Sequence, residues 1–315
     1  MNSTAEFSIT NSWTSLWATV IITLVLLGLY SNISIIHCIA TVKNQKTGFN
    51  LICLFRAINN ALVLLAAYLM VFVPAIVLGF SIYLPIIETV ILTTSLNLLM
   101  FNEIQGIYLA INRLFAILFP LKYNIFFGNK ATLAFHFLSY LHRFINLVFE
   151  NIDRFKASNY VLFSVEKLVY EGVEFVSDDV IIWAVALMGI PYVINAFTYI
   201  RFYFLAKKKT SNSSENHKNA RRNMRMFAQT VFQDSIFSAS SVFTLKFKNL
   251  FNHRMWSFFN HLFLWQCIHV LDGFVMLMFN EKLTMIKKLQ GSKITQPEVT
   301  TKQRDSTIHH PTVIV

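Results

Sequence analysis

The sequence predicts an all-α membrane protein: a bundle of seven transmembrane helices with a weak fourth span and the amino terminus outside. Three observations carry this reading. Of 315 residues, 55% are hydrophobic and only 14% charged, against about 25% charged in an ordinary soluble chain. The apolar residues gather into seven runs, most of them long enough for the roughly 20 helical residues that cross a hydrocarbon core. The Lys and Arg residues fall in the gaps that a seven-span path places inside, and positive charge marks the cytoplasmic side. The formal charge of +11 does not indicate nucleic acid, because the basic residues are split among short gaps and share no single folded surface.

The first span, Trp13 to Thr41, contains no Asp, Glu, Lys or Arg. Met1 to Asn11 carries Glu6 and no basic residue, which is not the basic n-region of a cleaved signal peptide. Residues 1–12 are therefore expected to form an extracellular amino terminus, with Asn2-Ser3-Thr4 as a glycosylation acceptor. The second span, Leu51 to Phe80, has Arg56 near its start as its one charge; the third is Tyr83 to Arg113. The fourth, Ala131 to Phe149, carries His136, His142, Arg143 and Asn146, and a central Arg costs about 2.5–3.5 kcal/mol on insertion. Topology nevertheless requires it. The gap Lys207 to Arg225 holds seven basic residues against Glu215, and the gap with Arg113, Lys122 and Lys130 is basic too. The segment Glu150 to Asp179 holds seven acids against three bases. Both basic gaps lie inside only if the chain crosses twice between them. Val180 to Ala206, with Pro191, is the fifth span, Met226 to Leu245 the sixth and Trp256 to Asn280 the seventh. A transmembrane domain over 13–285 and a polar cytoplasmic tail over 286–315, expected to be disordered, complete the division.

Cys38, Cys53 and Cys267 all lie in apolar runs, so no disulfide and no paired zinc-ligand motif is expected. There is no His-rich metal set, Ser-His-Asp grouping or Gly-rich phosphate loop. No enzyme activity, catalytic residue, metal or cofactor is expected.

An ionisable group inside a span is costly unless paired or hydrated, which makes it a functional candidate. Asp272 lies mid-span in the seventh run, at a depth where Asn32, Asn59 and Asn60 can converge on it. Such a polar core can differ in hydration between two helix packings and act as a switch; the plainer alternative is hydrogen-bonded helix glue. On that view Asp272→Asn should spare folding and shift the balance between packings. Asp234, Glu103 and Glu88 are the other carboxyls, and Glu88, in the outer third of its span, is a candidate for a ligand pocket. Arg113 ends the third span, either snorkelling to the border or paired within the bundle at rest.

Two motifs carry a resemblance: Ile111-Asn112-Arg113-Leu114-Phe115-Ala116-Ile117-Leu118-Phe119-Pro120-Leu121-Lys122-Tyr123, and His269-Val270-Leu271-Asp272-Gly273-Phe274 followed by Phe279-Asn280. With Gln229 to Phe237 they make the chain similar to nematode chemosensory seven-helix receptors of serpentine receptor class x, over roughly residues 20–130 and 180–285. The resemblance implies a rhodopsin-like G-protein-coupled receptor in the plasma membrane of sensory neurons and their cilia. Its partners would be a small external ligand, a heterotrimeric G protein on the cytoplasmic face and membrane lipid, with no nucleic acid. It places Arg113 where such receptors keep the arginine of Asp-Arg-Tyr, although Asn112 stands in the acid's place. Asn32 looks like their first-helix asparagine, and Asp272 sits near their seventh-helix Asn/Asp-Pro-x-x-Tyr motif without its Pro and Tyr. No Cys heads the third span and none occurs in Glu150 to Asp179, so the disulfide that joins these regions in such receptors cannot form. The sixth span has no proline. G-protein contact is expected from Arg113, Tyr123 and, in the basic loop, Arg221, Arg222 and Arg225. A small-molecule transporter or channel, and a divergent receptor that does not signal, are the alternatives.

Overall fold

A computed structural model describes residues 3–41, 47–172, 178–208, 214–247, 250–251 and 253–279. The chain forms one unit over Met1–Leu283 and a second over Thr284–Val315, which lies outside the described residues. Among the described residues seven long helices follow in order: α1 (Ser3–Thr41), α2 (Gly48–Leu78), α3 (Pro85–Leu118), α4 (Asn129–Lys156), α5 (Asp178–Lys208), α6 (Ser214–Phe247) and α7 (Arg254–Phe279). A short helix, Tyr123–Phe127, precedes α4, and a hairpin of β1 (Leu162–Ser164) and β2 (Val169–Glu171) follows it.

The helix ends follow local chemistry. The Thr47 side chain caps α2 by accepting from the Asn50 N–H at 3.3 Å, one of the donors that a first turn leaves unmet. Further along, α2 widens into a π-helical stretch, Leu64–Phe72, just before Pro74, where the proline ring would otherwise press on the preceding turn. Pro85 opens α3 at a position where a missing N–H costs nothing. Within the spans, hydroxyls return to carbonyls one turn back, as Thr23 does to Thr19 and Thr93 to Thr89, because lipid offers no other partner.

Several boundaries differ from the sequence reading. α1 begins at Ser3, ten residues before the apolar run that opens at Trp13. α6 begins at Ser214 and carries twelve residues of the expected basic loop before Met226. Among the described residues, Thr14–Thr41, Gly48–Leu78, Pro85–Leu118 and Arg254–Phe279 are long and apolar enough to cross a membrane. α4 is not among them, and its polar residues explain why it still packs. Thr132, His136 and Asn151 are buried, with the His136 ring stacked on Phe55 at 4.4 Å and its Nδ1 donating to the Thr132 carbonyl at 2.8 Å.

A short hairpin sits beside the helices without changing the all-α class. Leu162 pairs with Glu171, Phe163 with Tyr170 and Ser164 with Val169 in antiparallel register. Leu168 closes the turn from a left-handed backbone, φ 56°, which is rare for a branched side chain. Its fully buried side chain, packed with Val161 and Phe163 in the outer apolar layer, offsets a cost of about 1–2 kcal/mol. Phe163 and Tyr170 lie against Phe72 at 4.8 and 5.5 Å, and burial pushes the Tyr170 phenol up from its ordinary value. On the hairpin's exposed edge the bond from Lys167 to Glu171 holds the ammonium above its usual range.

Two apolar layers bracket the bundle. The outer one gathers Trp17, Ile21, Tyr68, Phe72, Leu92 and Leu262 with the hairpin residues, and the inner one Ile35, Ile39, Ile52, Leu109 and Met276. Between them α1 and α7 approach so closely that a Cβ on Gly273 would lie 2.6–2.7 Å from the Asn32 side chain. Gly273→Ala is accordingly expected to cost about 1–3 kcal/mol by overpacking. A fall in the denaturation temperature of the detergent-extracted protein would record it, and an unchanged midpoint would show that α7 can yield.

Candidate functional site

Asp272 is 3% exposed on α7, and its carboxylate accepts from three side chains. Arg56 on α2 grips it side-on with one edge of the guanidinium, Nη2 to Oδ1 at 3.0 Å and Nε to Oδ2 at 3.3 Å. Asn60 lies one turn further along the same face of α2, as spacing i, i+4 requires, and donates to Oδ2 at 2.7 Å. Gln233 on α6 donates to Oδ1 at 2.6 Å. A forked arginine with added hydrogen bonds is the arrangement that lets a charge pair survive burial.

The asparagines extend this centre to the neighbouring helices. Asn32 donates to the carbonyls of Gly28 and His269, at 2.8 and 3.2 Å, and its oxygen accepts from Asn60 at 3.4 Å. The Asn60 oxygen accepts from Asn102 at 2.7 Å and from His269 Nδ1 at 2.8 Å. Asn59 is turned by about 100° around α2 and faces α3 and α4. It donates to Asn102 at 2.8 Å and accepts from the Tyr140 hydroxyl at 2.7 Å. The structure thus brings Asn32, Asn60 and Asp272 into direct contact and joins Asn59 to them through Asn102. Arg56, Gln233, Asn102, His269 and Tyr140 are additions to the set that the sequence singles out. The four-residue interval from Arg56 to Asn60 is the available signal for the first of them.

Beside this network Asp234 accepts from Asn195 on α5 at 2.9 Å. Gly106 leaves the space they need: a Cβ there would stand 3.3 Å from Arg56 Nη1 and 3.5 Å from Asp234 Oδ1. Glu103 is buried nearby on α3, and its Oε1 has no hydrogen-bond partner.

At the inner end of α3, Arg113 is 6% exposed and lies over the Phe49 ring at 4.6 Å. Its Nε and Nη2 make no hydrogen bond, and among the described residues it forms no ion pair. The pairing within the bundle that the sequence offered as one of two readings is not seen among the described residues. Asn112, in the position of the acid, turns instead to Tyr123, its two amide atoms 3.1 and 3.3 Å from the phenol oxygen. The ring face attracts the cation, while the two unmet donors cost about 1–3 kcal/mol each. Arg221, Arg222 and Arg225 ride on the first turns of α6 and not in a loop; their side chains lie outside the described residues.

Glu88 is 1% exposed at the outer end of α3, and its carboxylate accepts from the Phe163 N–H at 2.7 Å and from the Ser81 hydroxyl. The next residue, Thr89, accepts from the Val161 N–H at 3.0 Å and donates to the Val161 carbonyl at 3.2 Å. The carboxyl considered for a ligand pocket is thus engaged in seating the hairpin. Cys38 and Cys53 are buried and Cys267 half-buried, and all three are thiols outside any disulfide.

Among the described residues, seven long helices around a buried charged core, with an arginine near the end of the third, form a seven-transmembrane helix bundle. The chain matches the family described as serpentine type 7TM GPCR chemoreceptor Srx over residues 22–280, and it belongs to that family. The match runs through 131–179, the stretch in which the sequence showed no resemblance. No curated protein matches the chain. The protein is a multi-pass membrane protein of a chemoreceptor family.

Proposed function

We propose that this receptor binds a small external molecule among the outer ends of its helices and activates a heterotrimeric G protein on its cytoplasmic face, in the plasma membrane of sensory-neuron cilia. One observation carries the reading. A single carboxylate, Asp272, ties Gln233 on α6 to Arg56 and Asn60 on α2, so opening the inner ends of the helices breaks a charge-assisted bond of about 1.5–3 kcal/mol. That is a difference a ligand can supply by binding one packing better than the other. Arg113 and Tyr123 line the inner border where a G protein docks, and Arg221, Arg222 and Arg225 extend that surface along α6. The two unmet N–H groups of Arg113 are donors for an acceptor brought by the partner.

Nucleotide exchange on a purified heterotrimeric G protein, with the full chain in lipid nanodiscs and a panel of volatile and soluble cues, tests this. Gln233→Leu should raise basal exchange about tenfold to a hundredfold, the factor that one such bond represents. Arg113→Gln, and neutralisation of Arg221, Arg222 and Arg225 together, should lower cue-driven exchange at equal surface level. Ion flux in liposomes with no exchange under any cue would replace this reading with a channel or transporter.

A further inference from the structure

α4 presents a polar pair to the membrane. Thr132, His136 and Asn151 face the bundle, whereas His142 and Asn146, one turn apart, are exposed. His142 lies eleven residues from Ala131, about 16 Å along the helix, which is close to the middle of a hydrocarbon core of about 30 Å. Groups that can form hydrogen bonds are costly there unless a protein surface covers them. Apolar side chains surround the pair, with Leu138 62%, Ile145 44% and Phe149 63% exposed.

The pair satisfies itself only in part. The Asn146 amide nitrogen lies 3.1 Å from His142 Nε2, and with that amide as donor the imidazole proton sits on Nδ1. Two donors, His142 Nδ1–H and the second Asn146 N–H, and one acceptor, Asn146 Oδ1, then remain to be met. A donor and an acceptor on one patch are complementary to the same patch related by a two-fold axis, which is the condition for a symmetric dimer. Their spacing agrees. Ser139, His142, Asn146 and Phe149 succeed one another at intervals of three, four and three residues, the seam along which two helices wind together. Ser139 also offers the small side chain that lets membrane helices approach closely.

We infer that the exposed face of α4 is an interface with a second copy of this chain, in which His142 Nδ1 of each copy donates to Asn146 Oδ1 of the other. The polar residues that make the fourth span weak are on this view what pairs it.

Two measurements on the full chain in cell membranes test the inference. In a background with Cys38, Cys53 and Cys267 replaced by alanine, Phe149→Cys should cross-link under mild oxidation to a band of twice the chain's mass. Leu26→Cys, on the exposed face of α1, should not. In the otherwise native chain, His142→Leu with Asn146→Leu should lower resonance energy transfer between donor- and acceptor-tagged copies. Loss of two interhelical hydrogen bonds weakens association about tenfold or more. Leucine suits lipid, so surface level should hold or rise. Equal cross-linking through Leu26→Cys, energy transfer unchanged in the double variant, or a cross-linked band matching a different protein would each overturn the dimer.

Discussion

Asp272→Asn is expected to remove most of the protein from the cell surface. The substitution keeps the shape of the side chain but leaves the Arg56 guanidinium, 4% exposed, without a counter-charge. Removing one partner of a buried pair costs about 3–5 kcal/mol, because the survivor remains buried and uncompensated. A chain of ordinary stability has about 5–15 kcal/mol to lose. Replacing both partners avoids this, so Arg56→Met combined with Asp272→Asn should return surface labelling to more than half the parental level. In that pair of changes the new amide on α7 keeps a carbonyl for one of Asn60 and Gln233, which bond different oxygens of the carboxylate. Parental labelling of Asp272→Asn alone, or a double variant no better than the single, would show that Arg56 draws its stability from elsewhere. This expectation reverses the one drawn from the sequence, in which Asp272 stands among amides only and its charge can be removed without harm.

The reason for that reversal also marks how far the chain can be read. Depth along a span is legible, because apolar runs give the ends and 1.5 Å per residue gives the rest. Asn32, Asn60 and Asp272 are found that way. Facing is harder to read. Asn59 and Asn60 are neighbours in sequence, yet one serves Tyr140 and Asn102 and the other Asp272. Arg56 escapes notice because a charge near the start of an apolar run usually snorkels, but α2 begins at Gly48, which draws Arg56 two turns inside. The hairpin leaves no signature. Its strands are three residues each, and its turn, Val165 to Leu168, contains none of the Gly, Asn or Pro that normally mark one. What seats it is burial of Phe163 and Leu168 against distant helices, and a single strand cannot announce its tertiary partners.

Glu88→Ala should release that hairpin. The substitution strands the Phe163 N–H in an apolar layer and frees the Ser81 hydroxyl. An unmet buried donor costs about 1–3 kcal/mol, more where the lost acceptor was charged. Amide exchange over residues 161–171 should therefore accelerate about tenfold to a hundredfold, while amides of the α2 and α7 cores keep their protection. Thr89→Val should produce a similar but smaller change, since a neutral hydroxyl is lost from Val161. Uniform acceleration across the bundle would mean that Glu88 supports the whole fold, and no acceleration at all would mean that packing alone holds the loop.

None of the three cysteines is in a disulfide, so the outer loop is held down by bonds that break and reform. Counting only the polar ties of Glu88 and Thr89 to Phe163 and Val161, at about 4 kcal/mol together, the hairpin is lifted at most about once in a thousand molecules, and burial of Phe163 and Leu168 lowers that fraction further. A cue whose site is reachable only in that minority has its apparent dissociation constant raised by the reciprocal of the fraction. Half-saturation at about micromolar concentration then takes an intrinsic affinity of about nanomolar or tighter. Substitutions that loosen the clamp would sharpen sensitivity to such a cue without touching a single residue that contacts it.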